Sequence, residues 1–183
     1  MEEAIAQLII SKVLENKWKV KLSAKPSGPD FLYKGKAVEV KGSNIRFVEH
    51  VSQFARYAHE YEEFALALPH DTINTANLLE IHAFSYAIYS AYSKFLKLFI
   101  IAEEDTFYRI LELSNASELL YKLFSHIKEK SVWKDSNINN VKDKLEQLIR
   151  ELDIELTEAA KNIVFAESGT SWVYKDSLQA NPS

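Results

Sequence analysis

The stretch Pro29-Asp30-Phe31-Leu32-Tyr33-Lys34-Gly35-Lys36-Ala37-Val38-Glu39-Val40-Lys41 decides how this chain is read. Apolar residues flank Lys34-Gly35 on both sides, which predicts a hairpin with a two-residue turn. In that register Tyr33 faces Lys36, and residues pair wherever their numbers sum to 69. Asp30 then lies opposite Glu39. Lys41 projects from the same face as Glu39, while Phe31, Tyr33, Val38 and Val40 line the other. Like charges opposed across a strand pair repel, so two carboxylates placed there call for a compensating cation. Hard oxygen donors with room left for water suit Mg2+ or Mn2+. A plain surface hairpin can carry the same residue types, and a three-residue loop with a bulge at Gly35 would shift the register.

Working outward, Ile5, Leu8, Ile9 and Val13 stand at helical spacing, which predicts a helix over 2–16 with an acidic first turn. Trp18, Val20 and Leu22 alternate with lysines, the period of a half-buried strand, before the break at Lys25-Pro26-Ser27-Gly28-Pro29. Beyond the hairpin, residues 48–62 read as a helix with Val51, Phe54, Ala55, Ala58 and Tyr61 on its buried stripe. The apolar run 64–68, stopped by Pro69, reads as a buried strand. The order is helix, strand, strand, strand, helix, strand: a compact α/β unit over 1–70.

The remainder, 71–183, reads as a mainly helical extension packed on that core. A long helix is expected over 71–95 and a hairpin over 96–113 around Glu104-Asp105. Asn115 with Glu118 suggests a capping box. Val141, Leu145, Leu148, Leu152 and Leu156 approach heptad spacing, which serves either packing onto the core or a homodimer seam. The aromatic run Phe84, Tyr86, Tyr89, Tyr92 and Phe95 is expected in the core, and the last ten residues are expected to be loose.

Composition narrows the function. With 183 residues, 47% of them hydrophobic, the chain can bury a full core. It has no cysteine, which excludes disulfides, iron–sulfur clusters and thiolate zinc sites, and four glycines with no phosphate-cradling loop argue against an NTPase motor. Acidic residues follow Met1 where a secretory leader carries basic ones, and Lys94 and Lys97 interrupt the one membrane-like stretch, 83–102. A cytoplasmic protein without a membrane span is expected. Net charge is −4, yet residues 12–46 carry nine basic side chains against three acidic ones. That asymmetry suits either a phosphate-binding face or a solvated sheet edge.

Pro29-Asp30, eight intervening residues and Glu39-Val40-Lys41 resemble the PD-(D/E)XK signature of the nuclease superfamily that includes restriction endonucleases, archaeal Holliday junction resolvases and RecB-type nucleases. Gln53 and Tyr57, four apart on one helix face, resemble the Gln-x-x-x-Tyr motif of the RecB-type branch. The resemblance covers about residues 1–70 and implies a restriction-endonuclease-like αβββαβ core. It further implies that Asp30, Glu39 and the Val40 carbonyl hold Mg2+ or Mn2+, and that Lys41 acts as an electrostatic partner to the phosphate. An acidic residue of the first helix would complete the site, with Glu2 the first choice and Glu3 the reserve. Gln53 and Tyr57 would support it. Lys25, Ser43 and Arg46, which flank the hairpin, are the candidates for phosphate contact, and His50 shares the face of Gln53 and Tyr57. The implied activity is metal-dependent hydrolysis of DNA phosphodiesters, with structure-specific cutting in repair, recombination or defence among the roles the resemblance allows. Junction resolution would require a symmetric dimer. The competing expectation is a catalytically silent relative that binds nucleic acid or protein.

Overall fold

A computed structural model of the chain describes residues 1–127 and 141–178. Six strands form one mixed sheet in the order β1-β2-β3-β4-β5-β6, so spatial order follows chain order. Helix α1 (Glu3–Trp18) precedes the hairpin of β1 (Phe31–Tyr33) and β2 (Lys36–Val40). A 3-10 turn (Phe47–His50) leads into α2 (Val51–Glu60) and then β3 (Glu63–Pro69), which lies parallel to β2. Helix α3 (Thr75–Tyr92) crosses to β4 (Leu96–Glu103), again parallel, and β5 (Phe107–Leu113) returns antiparallel. Short α4 (Glu118–Phe124), long α5 (Val141–Ala166), edge strand β6 (Ser171–Tyr174) and a single turn, α6 (Lys175–Leu178), complete the described elements.

Alternation along the strands splits the core into two layers. Phe64, Leu66 and Leu68 of β3 and Leu96, Leu98 and Ile100 of β4 face α2, α3, α4 and α5. Ala65, Ala67, Phe99 and Ile101 face α1, which contributes Ala6, Ile9, Ile10, Val13 and Leu14. Both central strands are buried on both faces, as parallel strands flanked by helices require. Each fully buried Leu, Ile or Phe contributes roughly 1.5–3 kcal/mol of transfer free energy.

Several expectations hold in the structure. The hairpin register is Phe31 with Val38, Leu32 with Ala37 and Tyr33 with Lys36. Lys34 at φ 49° and Gly35 at φ 78° both lie in the left-handed region, the signature of a two-residue type I′ turn, so no bulge shifts the pairing. The hairpin over 96–113 is present, but the segment expected as a mainly helical extension is not separate from the sheet: β4, β5 and β6 continue it across residue 70.

Others are corrected. No strand forms over 18–22: α1 runs through Trp18 and stops where Lys19 turns left-handed at φ 58°. The Leu22 backbone N–H is taken by the Glu15 carboxylate at 3.0 Å, and Trp18 stacks on Tyr33 at 5.7 Å. The alternating lysines therefore lie on a helix end and a loop, and the unit before residue 70 is αββαβ. The long helix is shorter than expected, because the Asn74 side chain caps α3 by accepting from the Asn77 N–H at 2.9 Å and Ser93 ends it left-handed. Asn115 closes a local turn by accepting from Ser117 N–H, with no reciprocal box to Glu118 described. Within the aromatic run only Phe84 is buried, whereas Tyr86, Tyr89, Tyr92 and Phe95 are exposed. Of the last ten residues, expected to be loose, Tyr174 closes β6 and 175–178 form α6, while 179–183 lie outside the described residues. Val141 and Leu145 of the heptad-spaced run are exposed, whereas Leu156 is buried against α3 and α4. Among the described residues no helix is long and apolar enough to cross a membrane.

Buried Asn77 ties this architecture to the loop after β2. Its Oδ1 accepts from the Phe47 N–H at 3.0 Å, and its Nδ2 donates to the Ile45 and Thr72 carbonyls at 3.2 and 2.8 Å. Removing the amide strips the Phe47 N–H and the Ile45 carbonyl of their described partner, each worth about 1–3 kcal/mol when buried, while the Thr72 carbonyl keeps the Asn74 N–H at 3.1 Å. Asn77→Ala should lower unfolding free energy by roughly 2–4 kcal/mol in urea denaturation. Leu79→Ala, on the exposed face of the same helix, should cost within about 0.5 kcal/mol.

Candidate metal centre

The hairpin register carries Asp30 to the end of β2. Asp30 is buried, its Oδ2 accepts from the Val40 N–H at 2.8 Å, and its Oδ1 accepts from Gln7 Nε2 at 3.1 Å. Glu39, beside it, is also buried, and its Oε2 receives no hydrogen bond from the described residues. Lys41 Nζ stands 3.6 Å from Glu39 Oε1 and 3.8 Å from Glu3 Oε1. One carboxylate oxygen from each of Glu3, Asp30 and Glu39 lies within 4.8 Å of the other two.

Glycine makes the third carboxylate available. A Cβ at Gly42 would sit 2.8 Å from the Glu3 backbone nitrogen and 3.0 Å from the Met1 carbonyl, so only hydrogen lets α1 begin there. The Ser43 N–H donates to the Met1 carbonyl at 2.9 Å, and the Met1 nitrogen donates to Ser43 Oγ. The first turn of α1 is thereby pinned against the chain leaving β2. Gln7, one turn after Glu3, reaches Asp30 from the same helix.

The electrostatics of this group are unfavourable by themselves. Burial, then the negative charge of Asp30 beside it, push Glu39 from an ordinary value near 4.5 up to about 8, with Lys41 pulling the other way. Three carboxylates face one ammonium. A divalent cation fits this set: the donors are hard oxygens, one buried oxygen lacks a partner, and exposed Glu3 can adjust its reach.

The expected residues sort clearly. Asp30, Glu39 and Lys41 come together as the register requires. Glu3 replaces Glu2 as the helix carboxylate, because Glu2 precedes α1 at its N-cap and lines the adjoining groove. Val40 contributes its N–H to Asp30. Gln53 Nε2 donates to the Tyr57 hydroxyl at 3.2 Å, and Tyr57 is buried against Phe64, so their described contacts are with each other and the core rather than with the carboxylates. Arg46 pairs with Glu49 at 3.3 Å and is largely exposed. Lys25 is exposed, with its backbone N–H closing a turn onto the Asp30 carbonyl. Ser43 and His50 line a groove of about 360 Å3 with Met1, Glu2, Glu3 and Lys41. Sequence reasoning passed over Gln7 and the role of Gly42. Their signals were the i, i+4 relation of Gln7 to Glu3 and a glycine directly after the Glu-x-Lys strand.

No family model matches the chain, and neither a curated protein nor a solved structure is found similar to it.

Gly42→Ala should push the start of α1 from β2 and weaken Mn2+ uptake at least about tenfold by calorimetry, the loss of one carboxylate ligand, while far-UV circular dichroism stays unchanged. Unfolded, Glu39 ionises near 4.5, whereas folded it keeps its proton to about 8. The folded state binds more protons across that window, so stability in chelator should fall as pH rises from about 4.5 to about 8. Denaturation midpoints should show this decline in the wild type and not in Glu39→Gln, and saturating Mn2+ should flatten it. A level wild-type profile in chelator would contradict the buried carboxyl.

Proposed function

We propose that the chain is a metal-dependent nuclease hydrolysing phosphodiester bonds, with DNA the favoured substrate. One observation carries this reading: Glu3, Asp30 and Glu39 bring carboxylate oxygens within 4.8 Å of one another directly beside Lys41. The resemblance of Pro29-Asp30 and Glu39-Val40-Lys41 to the PD-(D/E)XK signature supports it, as does the sequence of helix, hairpin, helix and parallel strand around the site. On this reading the core is restriction-endonuclease-like, with one strand fewer before residue 70 than expected.

Asp30, Glu39 and Glu3 would hold Mg2+ or Mn2+. When bound, such an ion lowers the pKa of coordinated water and neutralises charge developing on the phosphate. The Val40 N–H and Gln7 fix Asp30 so that neither of its oxygens swings away. Lys41, half-enclosed between Glu39 and Glu3, presents a fixed positive charge to a phosphate oxygen at no cost of reorganisation. The β2–β3 pairing holds Glu39 and Lys41 on a rigid element, since the Lys41 N–H donates to the Ala67 carbonyl at 3.0 Å.

The test is cleavage of labelled single-stranded, duplex and four-way-junction DNA with Mg2+, Mn2+ or chelator. Cutting should require the metal and fall at least about 100-fold in Asp30→Ala, Glu39→Ala and Lys41→Met, the scale of losing one preorganised group. Metal uptake without cleavage of any substrate would remove the enzyme and leave a silent binding protein.

A further inference from the structure

His50 and Lys41 both line the groove beside the carboxylates. The His50 side chain is half-buried, and its ring stacks on Phe54, itself fully buried, with centroids 5.7 Å apart and planes 26° apart. The stack fixes the ring without engaging its nitrogens. Among the described residues those nitrogens make no hydrogen bond or ion pair. Of the groove's other basic groups, Lys41 is flanked by Glu39 and Glu3 and the Met1 ammonium donates to Ser43 Oγ, while Glu2 adds a negative charge to the wall. The imidazole therefore carries the groove's one basic donor without a hydrogen-bond or ion-pair partner among the described residues. An imidazole offers at least one N–H donor in either protonation state. A groove of about 360 Å3 is within the range of clefts that hold small ligands or a unit of a polymer.

We propose that His50 is a substrate-contacting residue of this site, donating a ring N–H to a non-bridging phosphate oxygen of a nucleic acid strand laid along the groove, next to the phosphate held at the carboxylates. The assignment rests on the nuclease reading. It makes His50 a positioning contact that sets strand register, with no part in holding the metal. A ring that served only to pack on Phe54 would be replaced without loss by another aromatic ring.

The experiment compares the wild type with His50→Phe, which keeps the stack and deletes the donor, and with His50→Gln, which restores one. Binding is read by fluorescence anisotropy with a labelled single-stranded oligonucleotide in Ca2+, cleavage by initial rates in Mg2+, metal uptake by Mn2+ calorimetry and folding by thermal melting. His50→Phe should weaken oligonucleotide binding about tenfold, the scale of one hydrogen bond to a charged group, with KM rising and Mn2+ uptake and melting unchanged. His50→Gln should recover part of that loss. If His50→Phe binds and cuts like the wild type while Asp30→Ala is inactive, His50 has only its packing role and the nuclease reading stands. If the wild type neither binds nor cuts, the nuclease reading falls and takes this assignment with it. A fall in Mn2+ uptake in His50→Phe would place the ring in the metal site and overturn the positioning role.

Discussion

The site depends on one enforced opposition. A type I′ turn at Lys34-Gly35 sets the hairpin register, and that register places Asp30 against the end of β2 where Glu39 is already buried. The fold does not relieve the resulting repulsion with a full set of donors. Asp30 receives two hydrogen bonds, whereas Glu39 Oε2 receives none from the described residues and its carboxyl holds its proton to about 8. A buried acid left in that condition is a cost that ordinary packing would avoid, since replacing it with an apolar side chain removes the penalty. Its presence beside a second and third carboxylate is the physical reason to look for a cation.

The rest of the molecule holds that opposition in place. Strand β3 supports β2 in parallel, and its alternation anchors the sheet to helices on both faces. Gly42 admits the start of α1, which brings Glu3 and Gln7 to the same point. Asn77 clamps the loop that continues past Gly42 and carries the chain to His50. Three separate elements thus converge within a few residues of the Glu-x-Lys strand, fixed by backbone pairing, by the missing side chain of Gly42 and by the Asn77 amide.

What could be read from the sequence was local. Turn chemistry and two-residue alternation are properties of neighbours in the chain, so Asp30, Glu39 and Lys41 were legible together, as were the 96–113 hairpin and the strand before Pro69. The choice between Glu2 and Glu3 was not, because one residue rotates a helical side chain by about 100° and the rotation is set by docking at Gly42. The expected strand over 18–22 failed for a related reason. Lysine alternating with Trp, Val and Leu is compatible with a strand, a helix end or a loop, and the outcome turned on where Leu22 found a partner for its N–H, namely Glu15. Strand β6 has four residues, three of them exposed, and pairs with β5 across some sixty residues of chain, so no local pattern announced it. The tyrosines of α3 look apolar in sequence yet lie on its outer face.

Charge placement orders the events at the proposed site. The lysine surplus before residue 47 suggested a basic face, yet its members are dispersed: Lys17 pairs with Glu112, Arg46 with Glu49, and Lys36 lies at the opposite end of β2 from Lys41. At the carboxylate cluster Glu3, Asp30 and Glu39 outnumber Lys41. Such a surface attracts a small divalent ion more readily than a polyanion, because opposite charge within a few ångströms in partly buried surroundings outweighs screened attraction from distant lysines. A phosphodiester strand meets a favourable potential only once the carboxylates have been neutralised. The negative net charge of the chain and a nucleic acid substrate are then compatible, since the cation supplies the attraction at the site that dispersed side chains do not.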